Sequence, residues 1–379
     1  MDLIEDASFA ERMLCDCAGE QQIPINASIE LLPLCNMNCD MCYVRLSREE
    51  MERQGRLRTA EEWLSVARQM RDAGTLFLLL TGGEPLIYPD FRRLYLALRD
   101  MGFLITINTN GTLIDKDWAA FFGAHKPRRI NITLYGADEQ VYESLCHYPG
   151  GFARVTQGVR LLREQGVEVK LAGSMTPQNA KDLDRLFAVG HQLGVPVHID
   201  TYMMPAERER SLPFDQQARL SPEDAARERV RSFFLLAGRE GLLEFASKHL
   251  WMTEHLPEPE LPNRMTCLAG SCSYTINWQG QMRPCVVMTS PAADVFEMGF
   301  DAAWKKIRRE ADAIILSDRC AACKMRALCR TCAASALLET GQYDGVPEYM
   351  CRYAKETYRQ LAGFCMHEMH RRKQDGEEA

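Results

Sequence analysis

Cys35, Cys39 and Cys42 fall within eight residues, with the spacing C-x3-C-x2-C, directly after the apolar run 29–34. Thiolates that close together on one loop can face a single metal centre. A [4Fe–4S] cube takes four ligands, normally all cysteine. Three local ligands therefore leave either a distant fourth or one open iron. An open position can bind and activate a small molecule, as an open zinc site does. The same three residues also read as a structural zinc knuckle completed from elsewhere.

The remaining cysteines are grouped too. Of fifteen in 379 residues, three lie at 35–42, three at 267–285, four at 320–332 and one at 351. Cys15, Cys17, Cys146 and Cys365 fall outside these groups, and no role is assigned to them. The start of the chain, Met1 to Asp6, is acidic and lacks the basic and apolar regions of a signal peptide, so a cytoplasmic protein is expected. Clustered cysteines in a reducing compartment point to metal rather than to disulfides. The net charge of −7 argues against a general affinity for nucleic acid or acidic membranes. No run of 18 apolar residues exists to span a bilayer.

Alternating strands and helices must position these residues. A buried strand over 27–34 delivers the cysteine loop. Helix 59–73 opens at Thr59 with Glu62 three residues on, a capping box. The apolar run 76–80 reads as a parallel strand buried on both faces, ending in Thr81-Gly82-Gly83-Glu84-Pro85. Glycines there let the backbone approach a ligand closely. The rhythm continues through helix 90–101, strand 103–108, helix 115–123, strand 129–134, helix 152–165, strand 167–173, helix 179–193 and strand 195–202. Six strands alternating with helices predict parallel βαβ units in an open barrel or wound sheet, with the chemistry on the loops after the strands.

Composition changes after 204. Residues 205–221 read as an Arg-, Glu- and Pro-rich connection, and Ser221-Pro222 starts a bridging helix whose arginines, Arg227, Arg229, Arg231 and Arg239, form a solvated face. The turn-rich segment 256–262 marks a boundary. Beyond it, 274–278 and 282–287 flank Gly280 as a β-hairpin. The expected organisation is an N-terminal extension 1–26, a barrel 27–204, a helical bridge 205–262, a cysteine-rich domain 263–360 and a charged tail 361–379. Eight cysteines in the second domain equal two four-thiolate sites, which two zinc ribbons would also satisfy.

Taken together, C-x3-C-x2-C, the Gly-Gly-Glu-Pro after the second strand and the eight-cysteine extension resemble the radical S-adenosylmethionine (SAM) enzymes with a SPASM extension, from about residue 27 to 360. The resemblance implies an α/β fold: a partial (β/α)6 TIM-like barrel followed by a small cysteine-rich domain with a β-hairpin and helices. It implies three [4Fe–4S] clusters and SAM as cofactors. Cys35, Cys39 and Cys42 would hold the SAM-binding cluster. Cys267, Cys272, Cys285 and Cys332 would hold a first auxiliary cluster, and Cys320, Cys323, Cys329 and Cys351 a second. Gly82, Gly83 and Glu84 fall where the family receives SAM's amino group, with Thr81 before them also counted as cofactor-binding, Thr133 where it contacts the ribose, and Met41 and Tyr43 beside the adenine. Three departures stand out: Met41 replaces a common aromatic residue, Tyr135 replaces the Asp of Ser-x-Asp-Gly, and the last knuckle spacing is x2 rather than x3.

The chemistry implied is reductive cleavage of SAM to a 5′-deoxyadenosyl radical that takes a hydrogen atom from substrate. Most SPASM substrates are peptides, so a peptide maturase making a cross-link or an oxidised residue is expected. The alternatives are formylglycine formation in a sulfatase, and radical dehydrogenation or epimerisation of a small molecule. Val286 stands where the sulfatase-maturing group places Asp, which argues against the first. A flavodoxin- or ferredoxin-type reductant is implied, with a separate leader-peptide-binding protein or direct leader contact. Asp200, near the end of the sixth strand with His198 and Tyr202 on its face, is the candidate base.

Overall fold

The computed structural model describes residues 9–204, 219–255, 263–329 and 332–375. Most of the 205–221 connection and the whole of the 256–262 boundary lie outside these residues.

A helix, α1 (Phe9–Gln21), precedes β1 (Asn26–Glu30). There follow α2 (Arg48–Gln54), α3 (Ala60–Asp72), β2 (Phe77–Thr81), α4 (Phe91–Asp100), β3 (Leu104–Thr109), α5 (Lys116–Ala124) and β4 (Arg129–Thr133). Then come α6 (Glu139–Cys146), α7 (Gly151–Glu164), β5 (Val169–Ser174), α8 (Leu183–Leu193) and β6 (Val197–Asp200). The six strands are parallel and adjacent in chain order, as the alternating pattern predicts. The capping box forms as read: Thr59 Oγ1 accepts from the Glu62 amide at 3.2 Å, and Glu62 accepts from the Thr59 amide at 2.8 Å. Trp63, Val66, Ala67 and Met70 then face the core.

The strands are not buried on both faces. In β2, Leu78 and Leu80 are buried while Phe77, Leu79 and Thr81 are half-buried. The half-buried set faces the interior of an open barrel, and part of that interior is polar. Across it, Glu30 pairs in register with Thr81, and Asn108 with Asn131, which in turn pairs with Lys170. Asn131 donates to Asn108 at 2.8 Å. A barrel that must admit a polar ligand cannot fill its interior with leucine.

The sheet does not stop at the barrel. After α9 (Pro222–His255), strand β7 (Ser273–Ile276) pairs in parallel with β1, and β8 (Gln281–Arg283) and β9 (Ala293–Asp294) follow antiparallel. The strand order is β6-β5-β4-β3-β2-β1-β7-β8-β9. The expected hairpin is therefore present, with Gly280 turning at φ +99°, but it extends the barrel sheet through β1. Short helices α10 (Val295–Met298), α11 (Phe300–Asp312), α12 (Asp318–Ala321) and α13 (Ala333–Thr340) lead to α14 (Glu348–Asp375).

The basic face expected on α9 is partly spoken for. Arg239 pairs with Glu368, a carboxylate only 1% exposed that also meets Arg371 at 3.2 Å. Phe233 and Phe245 of α9 pack with Leu361 of α14 in a separate apolar cluster, and Cys365 lies against it. The charged tail expected over 361–379 is helical to Asp375, and as far as Cys365 it packs on α9. Among the described residues, no helix is long and apolar enough to cross a membrane.

Candidate functional site

The cysteine loop is strapped to the end of β2 by backbone. Leu31 donates to Thr81 O at 2.9 Å, Gly83 to Leu32 O at 2.7 Å, and Glu84 to Leu34 O at 2.9 Å. A Cβ on Gly82 would stand 2.5 Å from Leu32 O, and one on Gly83 2.2 Å from Leu34 O. Only glycine lets two strands' backbones approach so closely. The Gly-Gly pair therefore fixes the cysteine loop itself, beside any contact it makes with a ligand.

The Glu84 carboxylate is fully buried and accepts from Leu86 N at 3.0 Å, Thr109 Oγ1 at 2.8 Å and Asn110 N at 2.8 Å. The side chain thus ties the loop after β2 to the loop after β3. Burial pushes its carboxyl up to about 7, against hydrogen bonds from those three donors that hold it down. Glu84→Gln keeps the shape but turns an amide N–H₂ towards a donor. We expect it to cost about 1–3 kcal/mol in denaturant unfolding, the cost of unsatisfied buried groups. Linkage supplies a second signature. The unfolded carboxyl titrates near 4.5 and the folded one at about 7. Glu84's contribution to stability is therefore fully present below pH 4.5 and is lost as pH rises through about 7. The Gln variant should lack that loss, and an unchanged stability–pH curve would refute the account.

Asn110, at the end of the β3 loop, reaches the cysteines. Its Nδ2 lies 2.8 Å from Asn36 Oδ1 and 3.6 Å from Cys35 Sγ, while Asn36 donates to Thr112 Oγ1 at 2.9 Å. Backbone amides add to this: Met37 N donates to Cys35 Sγ at 3.4 Å and Arg45 N to Cys42 Sγ at 3.3 Å. Donors aimed at sulfur suit thiolates. In the protein alone, burial pushes the Cys35 thiol up to about 12, and Glu84, Cys39 and Cys42 add to the rise. A cationic metal centre inverts that balance, since a coordinating thiol is deprotonated outright. Among the described residues, no three His, Cys, Asp or Glu side chains converge as ligands of a single ion. A four-iron cube asks for no such convergence, because each thiolate binds its own iron.

A contact not read from the sequence supports the same loop. The C-terminus of α6 accepts from it twice, Asn38 N to Cys146 O at 3.2 Å and Asp40 N to Leu145 O at 3.0 Å. His147 meets Asp40 at 2.6 Å. Cys146 is fully buried and its thiol hydrogen-bonds Cys39, which helps raise the Cys39 thiol. Only a lone cysteine signalled this, and spacing alone could not place it beside Cys39.

Of the other SAM-contact candidates, Met41 is 6% exposed and belongs to the main core. Tyr43 and Thr133 are half-buried. Tyr135, in the place of the family's Asp, stands near the cluster loop: burial raises its phenol, and Cys39, Cys42, Cys146 and Tyr43 add to the rise.

The second group of cysteines divides unevenly. Cys320, Cys329, Cys332 and Cys351 line one small pocket, and burial together with nearby Cys323 raises the Cys320 and Cys351 thiols. Cys320, Cys323, Cys329 and Cys351 are the four expected of the second auxiliary site, and Cys332 borders this pocket and the next. Cys267, Cys285 and Cys332 line a larger cavity of about 330 Å³, which also takes in His198, Asp200 and Arg229. Cys272 is not with them. It is fully buried in an apolar patch with Ala18 and Ile25, against Cys15 and Phe77. Asp200 reaches the cavity with its side chain 62% exposed and 3.3 Å from His198 Nε2, while Tyr202, which lines the same cavity, bonds Ser335 at 2.7 Å.

Residues 29–189 match the radical SAM superfamily. An AdoMet-dependent heme synthase of Methanosarcina barkeri is 24% identical over 332 residues, covering 83% of this chain and 92% of that one. The crystal structure of Streptococcus suis SuiB bound to precursor peptide SuiA has a TM-score of 0.67 at 16% identity, covering 89% of this chain and 79% of that chain. Native anSMEcpe with bound AdoMet has a TM-score of 0.65 at 17% identity, covering 91% of this chain and all of that one.

Proposed function

We propose that the chain is a radical SAM enzyme, with [4Fe–4S] clusters and SAM as its cofactors, that modifies a peptide, forming a cross-link or an oxidised residue. One observation carries this reading: the cavity of about 330 Å³ between the end of β6, α9 and Cys267, Cys285 and Cys332. That volume is at the lower end of drug-sized ligand pockets. A cluster on the three cysteines would occupy part of it. What remains suits one or two side chains of an extended chain better than a whole macrocycle. The likeness of the fold to SuiB, a protein solved with a precursor peptide, supports the same class of substrate.

The residues divide the work. Cys35, Cys39 and Cys42 hold the SAM cluster, with the Gly82–Gly83 strap and Asn110 keeping their sulfurs in place. The bound cofactors supply a carbon-centred radical. Thr133, Tyr43 and Tyr135, all half-buried, would border the space in which it forms. The second auxiliary site, with four thiolates and no remaining position, is suited to carrying electrons. A flavodoxin- or ferredoxin-type protein would supply the first electron, and a leader peptide would dock directly or through a separate protein.

A second reading has its own support. The heme synthases resemble this chain over most of its length, which favours a tetrapyrrole or another small molecule. One assay separates the two. The anaerobically reconstituted enzyme is given SAM, a chemical reductant and either short peptides encoded beside its gene or an iron porphyrin. A peptide should stimulate 5′-deoxyadenosine formation and lose two hydrogens by mass. Conversion of the porphyrin with every peptide inert would refute the peptide reading.

A further inference from the structure

We propose that Cys146 is a positioning residue for the SAM cluster: its buried S–H donates to the Cys39 thiolate and makes the reduced state of the cluster easier to reach. The placement rests on four consecutive residues of the cysteine loop, Met37 to Asp40, each touched by α6. Tyr142 Oη donates to Met37 Sδ at 3.9 Å. Cys146 O accepts from Asn38 N at 3.2 Å, and Leu145 O accepts from Asp40 N at 3.0 Å. His147 meets the Asp40 carboxylate at 2.6 Å. Cys39 lies between the two backbone bonds, which hold its sulfur against the Cys146 thiol, to which it is hydrogen-bonded. The helix is itself held in place. Asp138 caps its start by accepting from Val141 N at 2.9 Å, and a Cβ on Gly136 would stand 2.4 Å from Tyr142 N. His147 ends the helix in the left-handed region at φ +50°.

Each sulfur of the triad faces a donor. Cys35 takes Met37 N at 3.4 Å and Asn110 Nδ2 at 3.6 Å, and Cys42 takes Arg45 N at 3.3 Å. On Cys39 the donor is a side chain from a separate helix, so it can be changed without cutting the loop's own backbone bonds. Cys146, Tyr142 and Leu145 are fully buried, so water does not compete for this sulfur. A thiol packs as a small hydrophobe and still carries a weak donor. With the triad ligating iron, Cys39 is a thiolate and can only accept, which leaves Cys146 to donate. An added electron increases the negative charge on the cluster's sulfurs, and a hydrogen bond to one of them favours that state. Bonds of this kind are among the determinants of the reduction potentials of Fe–S clusters. Removing the donor should therefore lower the potential. This inference goes beyond the peptide reading and holds for whichever substrate the enzyme takes.

The test is a redox titration of the reconstituted full-length protein, followed by electron paramagnetic resonance. The SAM cluster is recognised as the signal that changes when SAM is added and that is missing from the variant with Cys35, Cys39 and Cys42→Ala. Cys146→Val fills the site without a donor, Cys146→Ala empties it, and Cys146→Ser keeps a donor. At a poise that half-reduces the wild type, the Val and Ala variants should show a reduced-to-oxidised ratio about three- to tenfold lower, at most about 59 mV in a one-electron couple. The Ser variant should match or exceed the wild type. All three should keep about twelve irons, three clusters of four. Equal potentials in all four proteins would overturn the proposal and leave Cys146 as packing alone. An equal fall in Val, Ala and Ser would overturn it too, because disturbed packing would then account for the change. Loss of about four irons from every variant, Ser included, would make Cys146 a requirement of cluster assembly instead. No substrate enters the measurement, so its failure would leave the peptide reading untouched.

Discussion

Replacing Cys35, Cys39 and Cys42 together by alanine should abolish 5′-deoxyadenosine formation while leaving about two-thirds of the iron, two clusters of three. The loss should be complete rather than partial, because no other group in the loop can bind SAM through an open iron. The retention is the more telling half. The backbone of the loop is fixed to the end of β2 at Thr81, Gly83 and Glu84 and to α6 at Cys146 and Leu145, and none of those backbone bonds uses a cysteine of the triad. The remaining eight grouped cysteines lie in β7–α14 and its connections. The wild-type protein should hold close to twelve irons and absorb broadly near ~400 nm, as thiolate-bound clusters do. Deoxyadenosine at the wild-type rate in the triple variant, or zinc as the dominant metal in the wild type, would show the open-iron assignment to be wrong.

Much of the barrel was legible because it is written in local signals. The Thr59–Glu62 box, the apolar face of α3 and the strand-end glycines each depend on residues a few positions apart. The C-x3-C-x2-C loop is legible for the same reason. What was hidden depends on residues far apart in sequence. Cys146 lies about a hundred residues from Cys39, and only the docking of α6 brings them together. The pairing of β7 with β1 joins Asn26 to Ser273, and a hairpin's own pattern does not say which edge it will cover. Counting thiols gives a number of sites but not their places: Cys272, in the turn before β7, packs with Ala18 and Ile25. A motif also does not give the packing of its own side chains: Met41 belongs to the core, and the Glu84 carboxylate ties two loops together.

Asp200→Asn should lower product formation by on the order of a hundredfold or more, if the carboxylate takes the proton released when the substrate radical is oxidised. Its position suits that role. β6 ends at Asp200, whose backbone pairs in register with Ser174, and its side chain enters the cavity that also holds Cys285 and Cys332. A base there stands beside both the substrate space and the cluster that would accept the electron. Oxidation and deprotonation could then occur in one place. The competing account is that Asp200 only pairs with His198, 3.3 Å away. Two readouts separate these. Asparagine keeps the shape and can still bond His198, so a pairing role predicts nearly normal turnover. A base role predicts that product falls far more than SAM cleavage in the presence of substrate, because cleavage comes before deprotonation. Full product yield from Asp200→Asn at normal iron content would rule out Asp200 as the base and pass the role to another group on the cavity wall.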